Sequence, residues 1–232
     1  LTSMRAEAEA EVYLAGYPDQ LDDEKRNDNI LFYEGKIMSR PKGQLISVIH
    51  EKWFGDYRLL ESHHDYIQWV FPIREEGMNP QAQILLKHEA EHFQTSPSIQ
   101  NRVIQSYKMM LDFYGMKLGN EETGEISRGL NYRKRYRFLD RSHHNYLRIT
   151  RILKCLGEVG LEHFKTPFCA HIITEIGKFH LLKNCFRSLS LYWIPIVRND
   201  DERSALFVST ESLDRNWGKM KWNLRNKKSR RR

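Results

Sequence analysis

The run Ser96-Pro97-Ser98-Ile99-Gln100-Asn101-Arg102-Val103-Ile104-Gln105-Ser106-Tyr107-Lys108-Met109-Met110-Leu111-Asp112-Phe113-Tyr114-Gly115 decides the fold class. Val103, Ile104, Tyr107, Met110, Leu111 and Tyr114 recur at the spacing that lines up apolar groups on one face of a helix. Ser96 and Pro97 supply a cap and a first-turn proline, whose missing N–H costs nothing where amides lack partners anyway. Gly115 stands where a left-handed residue ends a helix. The stretch predicts one helix with clear ends and a buried face.

Outward from it, three more segments carry the same period. Asp56 caps a predicted helix from Tyr57, with Leu60, His64, Ile67 and Phe71 on one face and Pro72 as its stop. Another runs from Asn145 to Glu158 with Leu147, Ile149, Ile152, Leu153 and Leu156 inward. A fourth follows Pro167 and carries Ile172, Ile173, Ile176 and Phe179. Weaker helical patterns fit Ile30 to Ile37, Gln44 to Trp53, Leu85 to Phe93 and Ser188 to Val197. Strand alternation is nearly absent, so the expected class is all α, a single compact multi-helix domain. Residues 116 to 131, rich in Gly, Asn, Glu and Thr, read as a long internal loop, and 204 to 232 as a flexible polar and basic tail. The expected divisions are an extension over 1–28, a helical domain over 29–203, and that tail.

With 232 residues, 40% hydrophobic and 29% charged, the chain suits one globular domain. Its longest apolar run, near Leu191 to Val197, is far short of a bilayer span, and Leu1 to Glu11 lacks the apolar core of a secretory signal, so the chain reads as soluble. Cys155, Cys169 and Cys185 form no C-x-x-C pair and cannot all be bridged, which favours buried thiols in a reducing compartment. The net charge of +7 hides a polarity. Residues 1 to 127 hold 13 basic and 21 acidic side chains, and 128 to 232 hold 24 and 9. An acidic partner for the second half follows, either outside the chain or its own first half.

His88-Glu89-Ala90-Glu91-His92 matches the H-E-x-x-H zinc signature. Lys87 and Glu91 give it solvated surroundings, and Asp112 is the one convenient third ligand, on a helix that reads as core-packed, so the match reads as two histidines on an exposed helix. Glu61, His64, Asp65, Tyr66 and Trp69 gather carboxylates and rings on one stretch and are the candidate peptide-binding residues. The alternative makes Tyr66 and Trp69 core-edge rings and His64 a satisfied buried imidazole. From Arg128 to Lys154 nine basic residues meet one acidic residue, Asp140, with Tyr132, Tyr136 and Tyr146 interleaved. Arg133, Lys134, Arg135, Arg137, Arg148 and Arg151 are therefore a candidate basic surface for nucleic acid, or else partners of the acidic half. Lys227, Lys228, Arg230, Arg231 and Arg232 form a terminal basic run that fits an import signal. Phosphate loops, nucleophile elbows and dinucleotide fingerprints are absent from the sequence, which therefore reads as non-enzymatic and implies no cofactor.

Three blocks together are specific. They are Gly55-Asp56-Tyr57 through Leu60-Glu61, His64 and Tyr66-Ile67-Gln68-Trp69 to Phe71-Pro72, Arg74-Glu75, Gly77 and Asn79; Ser106 to Gly115; and His144 to Glu158. They resemble the conserved domain of the opioid growth factor receptor family, over about Asn29 to Arg203. The resemblance implies a receptor unrelated to the seven-helix opioid receptors, located in the nucleus and perinuclear cytoplasm, that binds the pentapeptide Tyr-Gly-Gly-Phe-Met and restrains cell proliferation. Glu89 and Phe93 fit the family pattern, whereas His88 and His92 look particular to this chain. The runner-up is a nucleic-acid-associated or protein-interaction module using segment 128–154.

Overall fold

The computed structural model describes residues 2–211 and 213. It is mostly helical: α1 (Thr2–Leu14), α2 (Asp28–Tyr33), α3 (Ile46–Val48), α4 (Tyr57–Ser62), α5 (Tyr66–Val70), α6 (Lys87–Thr95), α7 (Pro97–Tyr114), α8 (Tyr132–Leu139), α9 (His143–Glu158), α10 (Lys165–Gly177), α11 (Phe186–Ser188) and α12 (200–211). Two short helices run on as π-helical turns, α3 into Ile49–Trp53 and α11 into Leu189–Trp193. Both turns end on a buried tryptophan, Trp53 or Trp193. No described helix is long and apolar enough to cross a membrane.

α7 begins and ends as its sequence predicts. Gly115 takes φ 86°, and its N–H returns to the carbonyls of Leu111 and Asp112. A Cβ there would lie 2.6 Å from Arg135 Cβ, so both the backbone and the neighbouring α8 require glycine. Ser96 occupies the N-cap position, but its hydroxyl meets Ser98 Oγ at 3.2 Å instead of capping a free amide. α9 spans the predicted segment, except that Leu147 is 74% exposed where an inward position was expected. α10 starts two residues before Pro167, which falls in its first turn, and Phe179 lies beyond its end on the surface.

The predicted helix from Tyr57 to Phe71 is broken. Asp56 does cap it, accepting from Leu59 N at 2.9 Å, but α4 stops at Ser62 and α5 starts at Tyr66. The long loop over 116–131 is a small antiparallel hairpin, β1 (Met116–Leu118) against β2 (Ile126–Arg128), with Lys117 opposite Ser127. Its strands are too short for alternation to show in the sequence. The polar tail expected from 204 begins inside α12, whose Leu206 and Thr210 are buried, and Leu213 packs close to Gly177 of α10. The expected import run, Lys227 to Arg232, lies outside the described residues.

One hydrophobic cluster joins α7, α9 and α10 with the aromatic residues of the first half, among them Phe32, Tyr33, Trp69, Phe71 and Phe93. All three cysteines are free and buried, as their spacing suggested.

Candidate functional site

The H-E-x-x-H helix divides its residues by face. Glu89 is fully buried and accepts from Asn29 N at 3.0 Å, Asn29 Nδ2 at 2.7 Å, Gln83 Nε2 at 2.9 Å and Leu86 N at 3.0 Å. Burial raises its carboxyl above the ordinary glutamate value, and these donors partly offset the shift. His88 points elsewhere, with Nδ1 2.7 Å from Asp22 Oδ1, and His92 is exposed. The surroundings are thus half core rather than solvated throughout, and Glu89 clamps α6 to α2 through hydrogen bonds that occupy both its oxygens.

The stretch from Glu61 to Trp69 does not form a groove wall. Tyr66 is buried, its hydroxyl donating to Leu60 O at 3.2 Å, and Trp69 is buried with Nε1 donating to Arg40 O at 2.9 Å. Neither ring offers a face to a ligand. His64, expected on the inner face, is exposed, and Asp65 is half-buried. Glu61 binds His144 Nε2 at 2.9 Å and Asn145 Nδ2 at 3.1 Å. Arg148 explains the break between α4 and α5. Its guanidinium donates to Leu60 O at 2.8 Å and His63 O at 3.1 Å and lies 2.9 Å from His64 Nδ1, so a buried cation satisfies the last carbonyls of α4.

Arg148 is therefore not a surface cation, and neither is Arg135. Arg135 is buried between the rings of Tyr57, Phe113 and Phe138 at 4.2–4.6 Å, with Nε donating to Phe113 O at 2.6 Å. Burial lowers its pKa below the usual arginine value, although the aromatic faces favour the cation. Arg151 is half-buried and donates to Phe71 O at 3.2 Å. Arg128 forms a two-pronged pair with buried Glu175 at 2.6–2.7 Å. Arg133, Lys134, Arg137 and Arg141 remain exposed, and none has an acidic ion-pair partner among the described residues.

An open cleft of about 850 Å³ lies where α4, α7 and the hairpin meet the 129–131 turn. Its chemistry comes from Phe54, Tyr57, Lys108, Asp112, Leu130 and Asn131. Phe54 is 52% exposed and Leu130 fully so, leaving two large apolar side chains at the rim. Asp112 and Lys108 stand one turn apart on α7. Tyr57 Oη donates to Asp112 Oδ2 at 2.8 Å and accepts from Asn131 Nδ2, which orients the carboxylate. Burial and then the Asp112 bond raise the Tyr57 pKa, so the phenol stays a donor. A hollow of about 420 Å³, lined also by Ser47, His50 and Gln105, shares Phe54 and Lys108 with the cleft. Sequence reasoning missed this site because its residues come from four separate segments. In the sequence Asp112 stands out only as a convenient third ligand for a zinc match that its context disfavours, and unusually exposed Phe54 and Leu130 are indistinguishable from core residues in a linear reading.

The chain resembles known proteins over most of its length. Residues 22–228 match the family model described as the opioid growth factor receptor conserved region. It is 42% identical over 196 residues to opioid growth factor receptor-like protein 1 of Rattus norvegicus, covering 84% of this chain and 42% of that protein. It is 39% identical over 204 residues to the opioid growth factor receptor of Mus musculus, covering 87% and 32%. The Homo sapiens opioid growth factor receptor is 41% identical over 196 residues, covering 84% and 29%. The chain thus spans less than half the length of these curated relatives. No solved structure matches it.

Proposed function

This chain belongs to the opioid growth factor receptor family, and from that premise we propose that it is a non-enzymatic regulator that binds the pentapeptide Tyr-Gly-Gly-Phe-Met in the cleft around Asp112. The observation that carries the reading is the chemistry of that cleft, joined to relatives whose names say receptor. Its volume of about 850 Å³ falls in the range that holds small ligands, roughly 300–1,000 Å³. Asp112, held by Tyr57, suits the peptide ammonium. Phe54 and Leu130 offer apolar surface to its aromatic rings, and Lys108, paired with Glu121 in the free chain, would exchange that exposed partner for the peptide carboxylate.

Calorimetric titration of the chain with the peptide tests this. One-site binding is expected, weakened about 10-fold or more by Asp112→Asn, the order of one charge-assisted hydrogen bond. No heat at several temperatures would end the peptide reading. Wild-type affinity in a folded Phe54→Ala, Asp112→Asn double variant would move the ligand out of this cleft. Restraint of proliferation and a nuclear and perinuclear location belong to the same proposal. Deleting Lys227 to Arg232 from a fluorescent fusion should lower nuclear accumulation, and unchanged accumulation would remove that run as the signal.

A second reading rests on Arg133, Lys134, Arg137 and Arg141, exposed together on and just after α8. Four cations meeting single-stranded nucleic acid give a log-affinity slope against log-salt of about −3. A gel shift insensitive to salt, or none at all, would discard it.

A further inference from the structure

α1 lies outside the region that matches the family model, which begins at residue 22, yet its last turn enters the body of the domain. Tyr13 is fully buried and Tyr17 nearly so. Tyr13 Oη accepts from Lys165 Nζ at 2.7 Å and donates to Lys154 O at 3.2 Å. Its ring lies 4.7 Å from Lys165, 4.9 Å from Arg198 and 5.9 Å from Lys154. Each cation has its own carboxylate: Lys165 with Glu162 at 2.7 Å, Arg198 with Glu158 at 2.8 Å and Lys154 with Glu75 at 2.6 Å. Tyr17 Oη donates to the same Glu75 oxygen at 2.6 Å, and Arg74 stacks on the Tyr17 ring at 5.4 Å. Gly157 leaves the space, since a Cβ there would stand 2.0 Å from Tyr13 Oη. This is a pocket shaped for a tyrosine side chain and walled by three ion pairs.

Beyond Tyr13, α1 lies against the Leu189–Trp193 turn through small side chains. Among the described side chains of α1, Ala6 and Ala10 are also buried, while Met4, Val12 and Leu14 face solvent. A helix of 13 residues is marginal alone. Residues 15–27, which tether it to α2, form no helix or strand and are held to the body at Tyr17, Gln20 and Asp22. Emptying the pocket would leave three mutually neutralised pairs that water can solvate, where an apolar hole would stay dry and costly. Burial brings the Lys165 ammonium down to about 8, so it still carries its charge at neutral pH.

We infer that the face around Glu75, Lys154, Gly157, Lys165 and Arg198 is a docking socket for a tyrosine-bearing helix, filled in cis by α1 as a tethered and exchangeable ligand. The inference stands independently of the Asp112 cleft. A short tether gives α1 an effective concentration on the order of millimolar, so a competitor in trans binds weakly until α1 is disabled.

Two measurements on the full chain test it. In hydrogen exchange, the amides of α1 should lose protection about 100-fold or more faster than those of α9, because α1 opens as its own unit. Equal protection would make α1 an integral part of the core and overturn the inference. In fluorescence anisotropy, a labelled peptide of residues 2–20 should bind the folded Tyr13→Ala chain about tenfold or more tighter than wild type. Adding Gly157→Ala, which blocks the pocket, should abolish that gain. A folded Tyr13→Ala chain that ignores the peptide would also overturn it, and if that variant fails to fold, the exchange measurement on the wild-type chain decides.

Discussion

His50 carries the clearest consequence of a single half-buried group. Its Nε2 lies 2.8 Å from Ser106 Oγ, and Ser106 itself donates to Arg102 O at 3.0 Å, so the imidazole is the donor in that contact. Burial pushes the His50 pKa down from 6.5 to about 4. Between those values the unfolded chain takes up a proton that the folded chain refuses. The stability His50 contributes is therefore complete above about 6.5 and is lost as the pH falls toward 4, by at most about 3 kcal/mol. Urea midpoints measured across that window should fall for the wild-type chain and flatten in His50→Gln; a parallel decline in both would assign the loss to other groups. Arg148 makes the complementary point about reading a sequence. A run of nine basic residues suggests a binding surface, yet Arg135 and Arg148 are buried and spent on backbone carbonyls. Nothing in residue type separates a cation facing water from one facing the end of a helix.

Helices that declare themselves have punctuation at both ends. α7 was legible because Pro97, an apolar stripe and Gly115 all point the same way, and its terminus gives a direct test. Gly115→Ala forces φ 86° on a residue with a Cβ and drives that atom into Arg135 and Tyr132. A loss of about 2–4 kcal/mol is expected in chemical denaturation, with α8 displaced along with the end of α7. A loss below about 1 kcal/mol would mean that α8 is not seated on this turn. α8 itself was not legible, because Tyr132, Tyr136 and Leu139 are its apolar positions and buried Arg135 completes the inner face. To a hydrophobic-period reading that is a charge run. The break after Ser62 was hidden for a related reason: Leu60, Ile67 and Phe71 keep helical spacing, and Arg148, some 85 positions later, joins Tyr66 in supplying the partners that let the chain leave the helix there.

At the scale of the whole molecule, the opposite charges of the two halves meet inside one body. Lys154 pairs with Glu75 at 2.6 Å, and Glu61 faces His144 and Arg148, so acidic residues of the first half neutralise basic residues of the second. Part of the charge asymmetry is thus consumed internally, while the α8 face keeps its excess. Lys154→Met alone should cost about 2–3 kcal/mol by leaving the Glu75 carboxylate without its cation, with only the Tyr17 hydroxyl still donating to it, and adding Glu75→Gln should recover about half. Strict additivity of the two changes would show that the pair does not couple the halves. The three thiols give this body a clock. Cys155 lies in α9, Cys169 in α10 and Cys185 just before α11, all without access to water, and burial raises each thiol, Cys169 to about 12. In the native state a maleimide finds neither a path nor a thiolate, so alkylation waits for each segment to open. The order in which the three sulfurs react, read by mass after timed quenching, ranks how readily three neighbouring segments open without any substitution.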